Sequence, residues 1–379
     1  MTPLLTVALT GAAALLVAPT GAWDVVPSPS PSRSSNLLRG VAAVGADTVW
    51  SVGNQRDDTT GRQRTLTQRW NGAVWQTVAS PAGENEHDTL TAVSGVSPTD
   101  LWAVGFSARS AFDPDSLLDP DGARPLILRG DGLRWTPWPV TKPGGVAHLA
   151  AVDMVGSRDG WAVGSHLPEG SAVPQGLIMR WNGSVWAPAP APDLGPVHLT
   201  GVSANHADDV WAVGYRGVPG DAAEAVALHW DGLRWGQHEL PADGGVSSAL
   251  FSVATVSDQE VWAVGYTWSA GKRLAFALRR IDGAWQRIPV SVIEEGTQFR
   301  GVVAVATGVW AVGYYVAEGV DNALAMTFDG TSFVKRQPPA PGTYNHGGTA
   351  VTGITATRAG ELWAVGCLGP NTRVLRRAT

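Results

Sequence analysis

Short apolar runs recur along this chain at a regular interval, and the clearest of them is the tetrapeptide WAVG or its variant WSVG. It occurs seven times, with tryptophans 48 to 59 residues apart at Trp50, Trp102, Trp161, Trp211, Trp262, Trp310 and Trp363. A repeat of this length indicates one supersecondary unit copied along the chain, each copy burying its apolar surface against its neighbours. The hydrophobic pattern therefore predicts a repeat architecture.

Each unit contains four short apolar runs when the units are aligned on this tetrapeptide. The first run is exemplified by Leu90-Thr91-Ala92-Val93 in the second unit, and the second run is WAVG itself. The third precedes an Asn-Gly or Asp-Gly pair, and the fourth follows that pair and opens with an aromatic residue. Such pairs are the strongest short hairpin signal, because both central residues of a two-residue turn need positive φ, which Asn, Asp and Gly tolerate. Four strands in each of seven units predict an all-β, seven-bladed β-propeller with four-stranded antiparallel blades.

The two ends of the chain predict how the ring closes. The seventh unit stops after its third run, at 373–377, and lacks a fourth run. A matching run opens the chain at 23–27, so we expect the N-terminal strand to complete the last blade. One propeller domain is expected over residues 23–379. Its blades are expected at about 37–83, 88–145, 147–195, 197–245, 248–296, 297–347, and 348–379 plus 23–30.

Residues 1–22 predict a secretory signal peptide. The apolar stretch from Leu4 to Val17 leads to Thr20-Gly21-Ala22, which is an acceptable cleavage site. The apolar stretch is short and broken by glycine and proline, which argues against stable membrane insertion. We therefore expect a secreted, extracellular protein. Arginine supplies 24 of the 27 basic residues, a bias that suggests GC-rich coding and a bacterial source.

Composition narrows the classes of partner. The net charge of −6 argues against a nucleic-acid surface, which needs a clustered basic face. Cys367 is the single cysteine, so no internal disulfide forms. The sequence contains no HExxH, GxSxG, P-loop or CxxC motif. We expect a monomer with no cofactor, and no catalytic residue can be named.

The period and strand count resemble those of the kelch and galactose-oxidase-type propellers over residues 23–379. The D/N-G-x-x-W hairpin is similar to a shortened Asp-box of the BNR-repeat propellers. The chain departs from kelch repeats in having one glycine after the second run. The galactose-oxidase resemblance implies copper held by two Tyr and two His, but Cys367 has no matching partners for the Tyr–Cys crosslink. The sialidase-type resemblance implies an arginine triad, for which only Arg39 and Arg300 are candidates.

Strand order brings the variable connections, from second to third strand and from fourth strand to the next blade, to one side of the ring. We call this side the loop face. Tyr215, Tyr266 and Tyr314 follow WAVG in three consecutive units, and Trp268 is near them. They are candidates for an aromatic platform that stacks sugar rings. The alternative, which we favour, is that the tyrosines cap the core with their hydroxyls in water.

Two further groups are candidates on this face. When the units are aligned, Arg39, Arg300 and several threonines share one position (a column) at the start of the first strand. His148 and His198 share another. They are candidates for binding an anionic or hydroxylated ligand, although solvated strand ends are the commoner explanation. Closely spaced carboxylates in the second unit are weak candidates for Ca²⁺. These are Asp113, Asp115, Asp119 and Asp121, for which a solvated acidic loop is favoured.

Two functions fit this sequence. The favoured one is a non-catalytic binding module that recognises a glycan or a protein through the loop face. The alternative is an extracellular enzyme of the glycoside hydrolase or lyase type, with its centre at the mouth of the central channel. The repeat itself accounts for 16 of the 18 tryptophans, which leaves little unexplained chemistry and favours the binding module.

Overall fold

The computed structural model describes residues 21–111, 122–141, 143–217, 222–242, 246–269, 271–291, 296–336 and 349–378. Strands are the only regular elements in these ranges, and they form seven antiparallel four-stranded sheets. The predicted signal peptide lies almost entirely outside the described residues. No helix in the described ranges has the length and hydropathy needed to span a membrane.

The strands follow one another in a regular order along the chain. The first half comprises β1 (Asp24–Val26), β2 (Asn36–Ala43), β3 (Val49–Arg56), β4 (Gln63–Trp70), β5 (Trp75–Val78), β6 (His87–Ser97), β7 (Asp100–Ala108), β8 (Arg124–Gly130), β9 (Trp135–Pro137), β10 (Val146–Gly156), β11 (Asp159–Leu167), β12 (Gln175–Trp181), β13 (Trp186–Pro188) and β14 (Val197–His206). The second half comprises β15 (Asp209–Arg216), β16 (Glu224–Trp230), β17 (Trp235–His238), β18 (Ser247–Ser257), β19 (Glu260–Ser269), β20 (Lys272–Ile281), β21 (Ala284–Arg287), β22 (Gln298–Val305), β23 (Gly308–Ala317), β24 (Val320–Phe328), β25 (Phe333–Lys335), β26 (Thr349–Ala356), β27 (Leu362–Leu368) and β28 (Asn371–Arg377).

The sheets are the blades of a seven-bladed β-propeller, which confirms the predicted fold. Blade 1 is β2–β5, blades 2 to 6 follow in groups of four, and blade 7 is β26–β28 with β1. The first strand of each blade contacts the first strands of both neighbouring blades, so these strands surround the axis. The second strands begin, and the third strands turn into the fourth, on the side opposite the loop face. We call that side the hairpin face.

The N-terminal strand completes the last blade, as the truncated seventh repeat predicts. Val25 of β1 pairs with Leu375 of β28, and Asp24 pairs with Arg376. Because β1 and β26–β28 come from opposite ends of the chain, the ring is closed by hydrogen bonds and packing rather than by a peptide bond.

Each interface between neighbouring blades has its own apolar cluster. The WAVG tryptophan of one blade packs edge-on against the aromatic residue that opens the fourth strand of the next blade. Ring centroids in these pairs are 5.2 to 5.8 Å apart, with planes 75° to 88° from each other. The pairs are Trp50–Trp135, Trp102–Trp186, Trp161–Trp235, Trp211–Trp285, Trp262–Phe333, Trp310–Trp23 and Trp363–Trp75. The repeated tryptophans are therefore packing residues.

A β-bulge in every first strand explains the glycine that ends WAVG. Near its loop-face end, the ladder between first and second strands skips one residue in each blade, at Arg39, Thr91, Ala150, Thr200, Phe251, Arg300 and Thr352. The bulge brings a carbonyl oxygen of the first strand against the second strand. A Cβ at Gly53 would overlap the Leu37 oxygen, and the equivalent glycine of every other blade is crowded in the same way.

The Asn-Gly and Asp-Gly hairpins differ from the expectation that both residues adopt positive φ. Only Asp282 of these Asn and Asp residues does so, with φ 50°, in the two-residue turn between Ile281 and Ala284. The other hairpins have four-residue loops. In the first of them, Asn71 Oδ1 accepts hydrogen bonds from the backbone N–H groups of Ala73 and Val74, each at 3.0 Å. This side-chain turn replaces the two-residue turn, so the prediction of turn type was wrong in five of six hairpins.

Candidate functional site

The three tyrosines that follow WAVG lie at the loop-face ends of blades 4, 5 and 6, but their rings are buried. Tyr215, Tyr266 and Tyr314 are 5%, 6% and 7% exposed. Each pairs with an alanine of the third strand, at Ala225, Ala275 and Ala323, which leaves room for the ring. The tyrosines consequently have no open ring face on which a ligand could stack at the loop face.

Tyr266 is the centre of a cationic and aromatic group. Its ring centroid lies 5.5 Å from that of Phe251, the bulge residue of blade 5. Burial raises the pKa of the Tyr266 hydroxyl, and the positive charges of Arg273 and Arg300 oppose this rise. Both guanidinium groups are therefore close enough to act electrostatically on the same phenol.

Arg300 is held in place by aromatic partners from two blades. Its guanidinium carbon lies 4.3 Å from the ring centroid of Phe251, a cation–π distance. Its Nη2 donates a hydrogen bond to the hydroxyl of Tyr314 at 3.3 Å. The bulge positions of blades 5 and 6 thus bring an aromatic ring and a guanidinium group together beside the axis.

Arg273 and Gln298 extend the group toward the rim. Arg273 lies over Trp268, with its guanidinium carbon 5.7 Å from the ring centroid, and its Nη1 donates to Gln298 Oε1 at 3.3 Å. Gln298 is fully buried, and its Nε2 has no hydrogen-bond partner among the described residues. We call Phe251, Tyr266, Arg273, Gln298, Arg300 and Tyr314 the mouth cluster. It offers several donors to a negatively charged group.

Tyr215 and His198 adjoin the mouth cluster from blade 4. Their rings stack at 5.2 Å, and Tyr215 shares an apolar cluster with Ala249 and Tyr266. They therefore contribute to the wall between blades 4 and 5.

Arg39 and His148 make contacts in blades 1 to 3. Arg39 Nε donates to Asn54 Oδ1 at 3.1 Å within blade 1. The His148 ring lies 3.3 Å from Ser165 Oγ and 6.0 Å, between centroids, from Phe106.

The threonines in the bulge column join neighbouring blades. Thr91 Oγ1 donates to the Leu149 carbonyl of the next blade at 2.9 Å, and Thr200 Oγ1 donates to the Leu250 carbonyl at 2.7 Å. Their hydroxyls are engaged in the scaffold. The carboxylates Asp113, Asp115, Asp119 and Asp121, proposed for Ca²⁺, lie outside the described residues.

Sequence reasoning missed three members of the mouth cluster: Phe251, Arg273 and Gln298. Phe251 occupies the same repeat column as Arg300, so a search of that column for aromatic as well as polar residues would have found it. Arg273 and Gln298 carry no such signal, because they meet only when blade 5 packs on blade 6.

Comparison with known proteins supports the fold and goes no further. No family model matches this sequence, and no curated protein shows a significant match. A structure of YCF48 bound to a D1 peptide matches with a TM-score of 0.57 and 14% identity, covering 94% of this chain and 95% of that one. The WD40 propeller of Doa1 matches with a TM-score of 0.51 and 12% identity, covering 93% of this chain and 96% of that one.

An enzyme with the same fold also matches. A PL25 ulvan lyase bound to -[GlcA(1-4)Rha3S]- has a TM-score of 0.59 and 9% identity, covering 90% of this chain and 94% of that one. Because propellers this different in sequence include a peptide complex and a lyase, the comparisons establish the fold and leave the function to the site.

Proposed function

We propose that this chain is a binding protein that holds an anionic group of its ligand at the mouth cluster. The observation that carries the proposal is that Arg300 contacts Phe251 and the Tyr314 hydroxyl, while Arg273 of the neighbouring blade contacts Gln298. Guanidinium groups bind carboxylate, sulfate and phosphate groups strongly, because charge and planar donor geometry act together. Packing against Phe251 and Trp268 holds both guanidinium groups in place before a ligand arrives.

An acidic peptide fits this cluster better than a neutral sugar stacked on the tyrosines. Stacking requires an open ring face, and the three tyrosine rings are buried. An Asp or Glu side chain needs only the donors at the mouth. A propeller of similar fold, YCF48, is bound to a peptide in its own structure. We also propose that the protein is secreted and works as a monomer. Its recovery from the culture medium would test secretion, and its mass in solution would test the monomer.

The binding proposal is tested with a library of immobilised peptides that vary in Asp and Glu content, probed with the full chain. We expect acidic peptides to bind, with affinity that falls as salt is raised. Arg300→Gln and Arg273→Gln should each weaken binding about thirtyfold, since truncating a hydrogen-bonded charge pair costs about 2 kcal/mol or more. Arg134→Gln on the exposed hairpin face is the matched control and should leave binding unchanged.

The outcome that contradicts this proposal is equally direct. If acidic and neutral peptides bind alike, or if the control variant loses as much affinity as the two mouth variants, the mouth cluster is not the binding site. Melting temperatures of the three variants distinguish a lost contact from a damaged fold.

A lyase acting on an acidic polysaccharide is the second candidate. A lyase cleaves the glycosidic bond of a uronic acid by elimination, which requires a cation on the carboxylate and a group that transfers a proton. The 3.3 Å contact between Arg300 and the Tyr314 hydroxyl places one group of each kind together and so favours this candidate. Incubation with a uronic-acid polysaccharide, followed by absorbance of the unsaturated product, tests this candidate. Product that forms with the wild type and is lost in Tyr314→Phe would replace the binding proposal with catalysis.

A further inference from the structure

A second group of functional side chains lies on the hairpin face, between blades 4 and 5. Asn205 and His206 end β14, Asp208 lies in the following turn and Asp209 begins β15, while Asp258 lies in the turn after β18. One ring nitrogen of His206 and one carboxylate oxygen each of Asp209 and Asp258 all lie within 4.8 Å of one another. The group is independent of the mouth cluster, which occupies the opposite face of the ring.

The two ring nitrogens of His206 have different carboxylate partners. Nδ1 lies 2.5 Å from Asp208 Oδ1, and Nε2 lies 3.1 Å from Asp258 Oδ1. When Nδ1–H donates to Asp208, a neutral imidazole directs the Nε2 lone pair at an oxygen that is also an acceptor. Such a pair of atoms can bind one cation together, and it is equally satisfied by a second proton on the ring. A carboxylate on the far nitrogen is the usual support for a histidine that binds a metal.

Asp209 is positioned by buried partners. It is only 7% exposed, and its Oδ1 accepts hydrogen bonds from His229 Nε2 at 2.8 Å and from Trp211 Nε1 at 3.2 Å. Trp211 belongs to the apolar cluster between blades 4 and 5, and its ring stacks on that of His229 at 4.4 Å. The carboxylate is therefore held against the packed core between blades 4 and 5.

Asn205 and Arg280 complete the surroundings. Asn205 Nδ2 lies 3.1 Å from Asp209 Oδ2 and 2.5 Å from Asp258 Oδ1, so one amide bridges the two carboxylates. Arg280 Nη1 donates to the backbone oxygen of Asp258 at 3.4 Å and its guanidinium carbon lies 5.0 Å from the Trp211 ring centroid. The hydrogen bond from Arg280 to Asp258 is thus made to the backbone oxygen rather than to the carboxylate.

We propose that His206, Asp209 and Asp258 bind a divalent transition-metal ion such as Zn²⁺, which joins blades 4 and 5 on the hairpin face. One imidazole nitrogen with carboxylate oxygens is a donor set that Zn²⁺ accepts, and the spacing of the three ligand atoms suits a single ion. Asp208 contacts the other ring nitrogen of His206, and His229 contacts Asp209, so both residues would orient ligands without touching the ion. The ion would add a bond between two blades that otherwise contact through packing and hydrogen bonds.

The test is calorimetric titration of ZnCl₂ into the full chain at neutral pH, after treatment with a chelator. We expect one Zn²⁺ per chain and a melting temperature that rises with Zn²⁺, because a ligand of the folded state stabilises it. His206→Asn and Asp258→Asn should each weaken binding by more than tenfold, and Asp208→Asn should weaken it by about tenfold. The control is His166→Asn on the loop face, which should bind as the wild type does.

Two results would overturn the metal site. The first is a wild type that takes up no Zn²⁺, which would make His206 a doubly hydrogen-bonded imidazolium. The second is binding that survives both His206→Asn and Asp258→Asn. Because both side chains are largely solvent-exposed, with 47% and 68% exposure, these variants should melt as the wild type does in chelator. That measurement separates loss of the metal from loss of the fold.

Discussion

Trp23, near the N-terminus, packs edge-on against Trp310 of blade 6, with ring centroids 5.8 Å apart and ring planes at 83°. In five of the other six blade interfaces the same pair is made by residues 71 to 85 positions apart, and only Trp363–Trp75, between blades 7 and 1, also joins distant parts of the chain. The Trp23–Trp310 pair joins opposite ends of the protein. Trp23 is 4% exposed, so the strand that closes the ring is anchored by a buried indole as well as by backbone pairing with β28.

We predict that Trp23→Ala destabilises the protein by about 3 to 5 kcal/mol, the usual cost of removing a buried tryptophan side chain. The loss should also free β1 from blade 7, which faster hydrogen exchange at Val25 would show. Urea unfolding measures the stability, and Trp268→Ala, outside the seven aromatic pairs, is the control. A Trp23→Ala protein that unfolds at the same urea concentration as the wild type would mean that the ring closes without this strand.

The glycine of WAVG should be intolerant of alanine. We predict that Gly53→Ala costs on the order of 3 kcal/mol, because the new Cβ overlaps the Leu37 carbonyl oxygen and the bulge must shift. Gly236→Ala in β17 is the matched control, since its Cβ meets nothing within 4 Å. Its stability should change by less than about 0.5 kcal/mol. Equal effects of the two substitutions in urea unfolding would disprove the role given to the bulge.

Asp153 should make stability depend on pH. Its carboxyl group accepts hydrogen bonds from Ser94 Oγ of blade 2 at 3.1 Å and from the Ala204 N–H of blade 4 at 2.9 Å. The residue is partly exposed, but its carboxyl group is enclosed, and burial raises its pKa to about 6. The folded state therefore binds this proton more tightly than the unfolded state, where the pKa is about 3.9.

From this shift we predict that the contribution of Asp153 to the free energy of unfolding is greatest below about pH 4. It should fall by about 2 to 3 kcal/mol as the pH rises toward 6 and stay level above that. The change is isolated by subtracting the pH profile of Asp153→Asn from that of the wild type. Subtraction is needed because the hairpin aspartates, whose pKa values are lowered by backbone N–H groups, act in the opposite direction. Identical profiles would refute the prediction.

The Tyr314 hydroxyl should affect ligand binding more than stability. We predict that Tyr314→Phe weakens binding of acidic peptides by about five- to tenfold, because Arg300 loses the hydroxyl that orients it. The same substitution at Tyr315, whose ring lies in a different cluster with Lys335 Nζ 4.1 Å from its centroid, is the control. Binding affinity and melting temperature are measured for both variants. A larger loss in Tyr315→Phe would move the site away from the mouth cluster.

Much of the architecture could be predicted because it depends on local pattern. The spacing of the WAVG tryptophans and the missing last strand required seven four-stranded blades and a closing N-terminal strand, which the pairing of Val25 with Leu375 confirms. The turn at Asn71 shows where local pattern fails. An Asn-Gly pair suits both a two-residue turn and a four-residue loop, and the pairing of Trp70 with Trp75 decides between them.

The candidate site depended on contacts that no repeat encodes. The sequence by itself determined the number of blades, the position of each tryptophan in its strand and the closing strand, because apolar periodicity and turn residues act over a few neighbours. Only the tertiary structure decided that Arg273 and Gln298 meet beside Tyr266, and that His206 faces Asp258. Those pairs come from different blades, and a one-residue bulge in each first strand changes which side chains face the next blade. Stacking of the blades sets their distances, and stacking is a property of the whole ring.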